Sequence, residues 1–237
     1  LAMRIKDNAV VDEFTSTVDR NVGKSCSVAL RRYVDKKGIK GLVLSTCHHD
    51  VAEWLQPDWV FNTDTGLLSL GRSERPEIHI EIVPVSKEVW PAFSKHHYLT
   101  QKIAGARCWV ALWNGVPVGF NSAVYMPHPT VGPAYREHRL VILPEYQGLG
   151  IGVRLSEAVG DLFIEDGFRY YSKTSHPRLG GYRNSSAKWR PTQDNGKARP
   201  TYLKQLGLAR KGQQKVTARQ AERVCFSHEY VNETSED

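Results

Sequence analysis

The stretch Val141-Ile142-Leu143-Pro144-Glu145-Tyr146-Gln147-Gly148-Leu149-Gly150-Ile151-Gly152 decides how this chain folds. A β-rich run from His138 to Leu143 stops at Pro144, three glycines follow, and a helical pattern covers about Gly152 to Asp166 before Gly167 closes it. A strand, a glycine-rich turn and a helix in that order make an anion site. The N–H groups of a helix's first turn have no internal partners and carry partial positive charge, and glycine lets a ligand approach the backbone closely. Such a turn suits a ligand with adjacent phosphates, although a purely structural turn would use the same glycines. A Rossmann fingerprint needs G-x-G-x-x-G, and Gly148-Leu149-Gly150-Ile151-Gly152 has the wrong spacing. A Walker A loop needs Lys-Ser/Thr after its glycines, and none follows here.

Outward from this turn the chain keeps alternating strands and helices. Downstream, Arg169 to Lys173 reads as a strand and about Leu179 to Lys188 as a helix. Upstream, Cys108 to Trp113 and Val116 to Tyr125 flank Asn114-Gly115, the strongest short signal for a two-residue hairpin. Before them stand a strand from Ile78 to Val83 and a helix from Ser86, its N-cap, to about His97. After Trp189 the chain reads as a basic loop until a strand at Val224 to Ser227.

The pattern Q-x-x-G-x-G, here Gln147-Gly148-Leu149-Gly150-Ile151-Gly152, lies between strand and helix as it does in the GNAT superfamily of acyl-CoA-dependent N-acyltransferases, which the chain resembles over Ile78 to Trp189. The resemblance implies an α/β fold in which a mixed central sheet with two splayed parallel strands is flanked by helices. It implies acetyl-CoA or a related acyl-CoA as cofactor. The backbone of Val141 and Leu143 would pair with pantetheine, and the N–H groups of Gln147, Gly148, Leu149, Gly150, Ile151 and Gly152 would hold the pyrophosphate.

Residues 9 to 70 read as strand, helix, strand, with the helix from Val22 to Lys37 closed by Gly38. This segment resembles the second half of an ABC-type ATPase domain. Val10-Val11-Asp12-Glu13 is similar to a Walker B strand end, Ser16-Thr17-Val18-Asp19 to a D-loop, and Ser45 to Asp50, with His48-His49, to the switch-histidine strand. Gly23-Lys24-Ser25 is no substitute for a P-loop, because Val18 stands where Walker A requires glycine. The chain reads as the trailing portion of a fused ATPase and acetyltransferase. Residues 1–71 form the ATPase-like part without a P-loop, the charged Arg72 to Glu77 is a linker, and residues 78–237 are the acyltransferase domain.

Acyl transfer from a thioester needs a base for the attacking amine, a donor for the oxyanion and an acid for the leaving thiolate. Along Arg136 to Leu143, Glu137, Arg139 and Val141 share one face; Glu137 is a candidate base through water, or a surface ion pair with Arg139. Tyr182 stands where family members often carry a tyrosine acid, and equally suits a packing role. Ser175-His176 is a candidate donor to substrate or oxyanion, or a cap of the next helix. His96-His97-Tyr98-Leu99 borders the region of the acceptor pocket in this fold; adjacent helical histidines point about 100° apart and cannot readily share a metal, so no metal is expected. The set His97, Tyr98, Arg139, Ser175 and Tyr182 also resembles Mom-type phage DNA-modification proteins, a divergent GNAT group acting on adenine.

Composition sets outer limits. Of 237 residues, 41% are hydrophobic and 24% charged, ordinary for a globular chain. No apolar run reaches the ~18 residues of a membrane span, and no signal-peptide pattern opens the chain, which points to the cytoplasm and no membrane partner. Cys26, Cys47, Cys108 and Cys225 are dispersed and read as reduced thiols. The net charge of +7 favours acidic partners. Between Lys188 and Arg223, ten basic residues face only Asp194 and Glu222, with Trp189 and Tyr202 among them. Phosphate neutralisation with base stacking suits a nucleic-acid acceptor; a solvated loop or one that binds only CoA phosphates is the plainer reading. The alternatives to a nucleic-acid acyltransferase are a small-molecule or protein amine N-acetyltransferase and a non-catalytic CoA- or nucleic-acid-binding module.

Overall fold

The computed structural model describes residues 5–74, 76–97, 103, 105–128, 130–200 and 222–232. The chain divides into two compact units: Leu1–Glu81 with Ala111–Gly119 and Ile142–Gly152, and Ile82–Val110 with Phe120–Val141 and Val153–Asp237.

In the first unit β1 (Val10–Val11) and β2 (Val43–Leu44) pair in parallel, with α1 (Arg20–Lys37) as the connection. The sequence sets both ends of α1. Asp19 accepts the Asn21 N–H at 2.8 Å, and Gly38 takes the left-handed conformation, φ 64°, that ends the helix. Gly23, Ser27, Leu30 and Val34 recur at i, i+4, i+7 and i+11 and are buried, and Leu30 and Val34 join Ile5 and Phe14 in a core. Beyond β2 the sequence reading foresees nothing, yet α2 (Val51–Leu55) and a hairpin of β3 (Trp59–Asn62) and β4 (Leu67–Leu70) follow. The hairpin register sets Trp59 opposite Leu70 and Phe61 opposite Leu68.

The main sheet has eight strands in the order β10-β12-β9-β8-β7-β6-β5, with β11 also on β12. They are β5 (Ile80–Val85), β6 (Arg107–Trp113), β7 (Val116–Tyr125), β8 (Ala134–Ile142), β9 (Arg169–Thr174), β10 (Trp189–Pro191), β11 (Lys197–Pro200) and β12 (Glu222–Tyr230). At the β6–β7 turn Asn114 and Gly115 both have positive φ, 52° and 76°, as the tight hairpin expected from the sequence demands. The sheet is mixed. β8 and β9 are parallel, while β12 runs antiparallel to β9, β10 and β11.

The β8–β9 ladder pairs Ala134–Arg136 with Arg169–Tyr171, and β8 then runs on to Ile142 without further rungs to β9. The two strands splay, as the family resemblance implies. Behind them α4 (Ile151–Glu165) buries Leu155, Val159 and Phe163 at four-residue spacing. Phe163 is stacked on Tyr135 at 4.4 Å and on Tyr170 at 5.4 Å and meets Trp109 edge-on at 5.3 Å. Burying such a ring is worth roughly 2 to 3 kcal/mol, which anchors α4 to the sheet.

Several sequence expectations are corrected. The helix from Ser86 to His97 is instead a 3₁₀ turn, Lys87–Val89, and the one-turn α3 (Pro91–Ser94). Pro91 has no N–H to continue the first segment, so it opens a new one. The stretch after Trp189 is not simply a loop: β10 and β11 pair with β12, which is longer than Val224 to Ser227. The last helix, α5 (Pro177–Ser185), begins and ends earlier than expected because Pro177 sits at its first turn. Among the described residues no helix is long and apolar enough to cross a membrane.

Candidate active site

The glycine turn forms between a 3₁₀ turn, Pro144–Tyr146, and the start of α4. Gly148 and Gly150 have φ of 88° and 89°, so a side chain at either would strain the backbone. At Gly152 a Cβ would meet the Ile142 Cγ1 at 3.2 Å, so glycine also permits the close approach of helix and strand end. The Gln147 N–H is donated to the Pro144 carbonyl at 3.3 Å and its side-chain amide to the Ile142 carbonyl at 2.9 Å. Gln147 therefore braces the turn, its N–H engaged with Pro144 and not open to an anion, a correction to the sequence reading.

The strand end needs a second correction. The Leu143 N–H is donated to the Val118 carbonyl at 2.9 Å, and the Leu143 carbonyl accepts the Tyr146 N–H at 2.9 Å. Backbone groups alternate sides along a strand, so Val141 shares the orientation of Leu143, and the opposite edge belongs to Leu140 and Ile142.

In the second unit a buried polar centre surrounds Glu137, on β8. Its carboxylate accepts hydrogen bonds from Ser156 and Ser172, each at 2.7 Å, from Asn121 at 3.0 Å, from Tyr170 at 3.4 Å and from Arg183 at 3.0 Å. The ion pair of Glu137 is thus with Arg183, and it is buried, not the surface pair with Arg139 that strand alternation suggested. Arg183 also donates to Ser156 at 2.7 Å and to Ser172, and its guanidinium lies 4.2 Å from the Trp189 ring centroid. Burial pushes the Glu137 carboxyl up, but Arg183 and the hydroxyl donors outweigh it and hold the group below its ordinary 4.5.

Arg139 is buried and donates to the His138 carbonyl at 3.0 Å. His97 follows α3, half-buried, its ring 5.7 Å from that of Trp90. Burial, then Arg139, lowers His97 to about 4. His138 is lowered to about 4 by burial, then by Arg139, Arg136 and His97. Both imidazoles are neutral at physiological pH. Tyr98 lies outside the described residues.

On α5, the Tyr182 hydroxyl donates to Glu157 at 2.7 Å, and the Trp189 indole N–H reaches the same oxygen at 3.3 Å. Burial and then this carboxylate raise the Tyr182 pKa. Ser175 is half-buried just after β9, and His176 caps α5 by accepting the Leu179 N–H at 3.3 Å. In the first unit, Asp12 accepts from Ser45, and Thr15 Oγ1 lies 3.1 Å from His48 Nδ1.

Sequence reasoning missed Arg183, Ser156, Ser172 and His138, and three residues of α1 beside the turn: Asn21, Ser25 and Arg32. The α1 residues carry a signal, since 21, 25, 28 and 32 form one helical stripe. Arg183 carries none.

The acetyltransferase (GNAT) family model matches residues 50–182. The chain belongs to this family and is an acyltransferase that uses an acyl-CoA. Comparison with curated proteins finds no match. Among solved structures it is similar to an IAA acetyltransferase from Bacillus cereus, at 15% identity and TM-score 0.46, over 64% of this chain and 99% of that one. It is also similar to a GNAT family acetyltransferase from Elizabethkingia anophelis with acetyl-CoA bound, at 14% identity and TM-score 0.38, over 64% and 97%. The ribosomal-protein-S18-alanine N-acetyltransferase from Escherichia coli is similar at 11% identity and TM-score 0.43, over 64% and 93%.

Proposed function

We propose that the chain acylates an amine on a nucleic acid, with the acyl-CoA pyrophosphate on the N–H groups from Gly148 to Gly152 and the pantetheine arm along the backbone of Leu140 and Ile142. The observation that carries the donor part is the pair of left-handed glycines, Gly148 and Gly150, opening α4 beyond a strand that splays from its neighbour. The acyl-CoA supplies an activated thioester carbonyl. The carboxylate of Glu137 is already committed to Arg183, two serines, Asn121 and Tyr170, which leaves it a poor proton acceptor. His97 and His138, half-buried imidazoles that burial and then Arg139 lower to about 4, are weak bases as well, so they are proposed to accept a hydrogen bond from the acceptor amine while its proton leaves to solvent. Tyr182 is the proposed acid, Ser175 a donor to the acceptor, and Arg139 the cation that, after burial, lowers both imidazoles.

The acceptor class rests on charge. Ten basic residues lie between Lys188 and Arg223, and Asp194 is shared by Lys173 at 3.6 Å and Lys197 at 3.5 Å, so the basic surplus remains. The β11–β12 ladder brings Arg199 and Arg223 into register, so two distant parts of the basic run share one rung of the sheet. The part of the run that includes Tyr202, Lys204, Arg210, Lys211, Lys215 and Arg219 lies outside the described residues. This reading extends the likeness to Mom-type DNA modification. A small-molecule or protein amine is the alternative acceptor. The division at Arg72–Glu77 and the descent of residues 1–71 from an ABC-type ATPase belong to the same proposal. Asp12, Glu13 and His49 make no complete hydrolytic site without a P-loop, and ATP turnover abolished by Glu13→Gln would refute that.

Two measurements test the reading. Calorimetric titration with acetyl-CoA compares wild type with Gly150→Trp; equal binding by both removes the turn from the site. Incubation with labelled acetyl-CoA and DNA, RNA, polyamines, peptides and aminated antibiotics then locates the label. Label on polyamine, peptide or antibiotic alone overturns the nucleic-acid reading.

A further inference from the structure

Helix α1 carries two stripes, and only one serves its own core. Leu30 and Val34 pack with Ile5 and Phe14, whereas Asn21, Ser25, Val28 and Arg32, at i, i+4, i+7 and i+11, form a second stripe. Three polar members of that stripe reach consecutive parts of the glycine turn. The Asn21 amide donates to the Tyr146 hydroxyl at 3.3 Å, the Ser25 hydroxyl to the Glu145 carbonyl at 3.1 Å, and the Arg32 guanidinium to the Gly148 carbonyl at 3.1 Å. Val28 between them is buried. An aromatic path reinforces the docking: Lys24 lies over Trp54, Trp54 meets Trp113 edge-on, and Trp113 meets Tyr146 edge-on.

The charge on this helix has the sign a phosphate ligand needs. α1 contains Arg20, Lys24, Arg31, Arg32, Lys36 and Lys37 against the single acid Asp35. Asp35 is bonded to Arg31 and Asp50 to Arg20, but the only partner of Arg32 among the described residues is the Gly148 carbonyl. A guanidinium has five N–H donors in a rigid fork. One of them fixes Arg32 at the first left-handed glycine, and the others remain open at an exposed position beside the N–H groups that begin there.

We infer that Arg32, from the segment preceding the acyltransferase domain, is a phosphate-binding residue of the acyl-CoA site, held at the turn by the docking of α1 through Asn21 and Ser25. The inference rests on the assignment of the turn to acyl-CoA. It gives the N-terminal segment a present role: without α1 the turn loses three braces, one of them a cation.

The test is acetyl-CoA binding by calorimetry across a salt series, using the full chain. Arg32 is exposed, so its variants keep the fold, which circular dichroism checks. Arg32→Ala is expected to weaken acetyl-CoA about tenfold at low salt, the effect of losing one charge-assisted contact, and to flatten the salt dependence. Arg32→Lys should recover most of the affinity. Arg32→Gln, which keeps a donor for the Gly148 carbonyl but no charge, should behave like Arg32→Ala. Wild-type affinity and salt slope in Arg32→Gln would overturn the phosphate role. If Gly150→Trp abolishes binding while Arg32→Ala leaves it unchanged, the turn assignment stands and this inference fails; unchanged binding in Gly150→Trp removes the assignment itself.

Discussion

The carboxylate of Glu137 and the guanidinium of Arg183 meet at 3.0 Å with both side chains almost wholly buried, and they tie β8 to α5 across 46 residues of sequence. Arg183→Met leaves a buried carboxylate without its cation, which costs about 3 to 5 kcal/mol. Urea unfolding at neutral pH measures the loss. The double variant Glu137→Gln with Arg183→Met, which buries no net charge, recovers much of it. Because the Glu137 pKa is lowered on folding, its contribution is complete above the ordinary value of 4.5 and disappears as pH falls through the folded value. Glu137→Gln should therefore be less stable than wild type at pH 7 and show a weaker loss below pH 4.5.

A separate acid sensitivity lies at higher pH. His97, His138 and His228 are each lowered from 6.5 to about 4, by burial first and then by arginines: Arg139 for His97, Arg139 and Arg136 for His138, and Arg183 for His228. Between those values the unfolded chain binds protons that the folded chain refuses, so stability falls as pH drops from 6.5 towards 4. Unfolding free energies at pH 7, 6 and 5 should decline steadily, and His97→Gln should reduce the decline. A flat profile over this range would show that these imidazoles are not held neutral.

What the sequence makes legible here is what is local. The glycine turn, the Asn114-Gly115 hairpin and the Gly38 end of α1 are each specified by residues within a few positions, and each is found in place. The α3 region is misread because the apolar pattern runs across Pro91, whose missing N–H the pattern does not register. β11 and the full length of β12 depend on pairing with each other and with β9, and nothing nearby in the chain announces them. The partner of Glu137 is hidden for the same reason. Alternation along β8 places Glu137 and Arg139 on one face, but the cation that Glu137 meets comes from α5, and only the folded sheet brings it there.

Close packing of two helices against aromatic side chains of β12 predicts two steric variants. A Cβ at Gly180 would fall within the Phe226 ring, and one at Gly160 within the Tyr230 ring. Phe226 and Tyr230 both belong to β12, while Gly180 is on α5 and Gly160 on α4. Gly180→Ala and Gly160→Ala should each destabilise by about 1 to 3 kcal/mol despite the better helix propensity of alanine. Thermal melts of the two variants check this. Gly181→Ala, next to Gly180 but with open space at its Cβ, is the control and should be neutral or slightly stabilising.

Tyr182 joins stability to the proposed chemistry. Its hydroxyl donates a hydrogen bond to Glu157 at 2.7 Å, while the Trp189 indole and the Lys188 ammonium, at 3.9 Å, hold that carboxylate in place. Burial raises the Tyr182 pKa first, and the neighbouring carboxylate raises it further. Tyr182 therefore stays protonated through the neutral range, as an acid for a departing thiolate must. If it fills that role, Tyr182→Phe lowers kcat for CoA release with little change in the KM for acetyl-CoA, since the phenol acts only as the thiolate forms. Glu157→Gln removes the second cause of the shift and leaves the first, so the alkaline limb of the rate profile should move to lower pH without vanishing. Thiol release is followed with a thiol-reactive dye, using the acceptor that takes up label. A Tyr182→Phe enzyme with wild-type kcat and a wild-type alkaline limb would leave Tyr182 as a strut between α4 and α5 and assign the thiolate's proton to solvent.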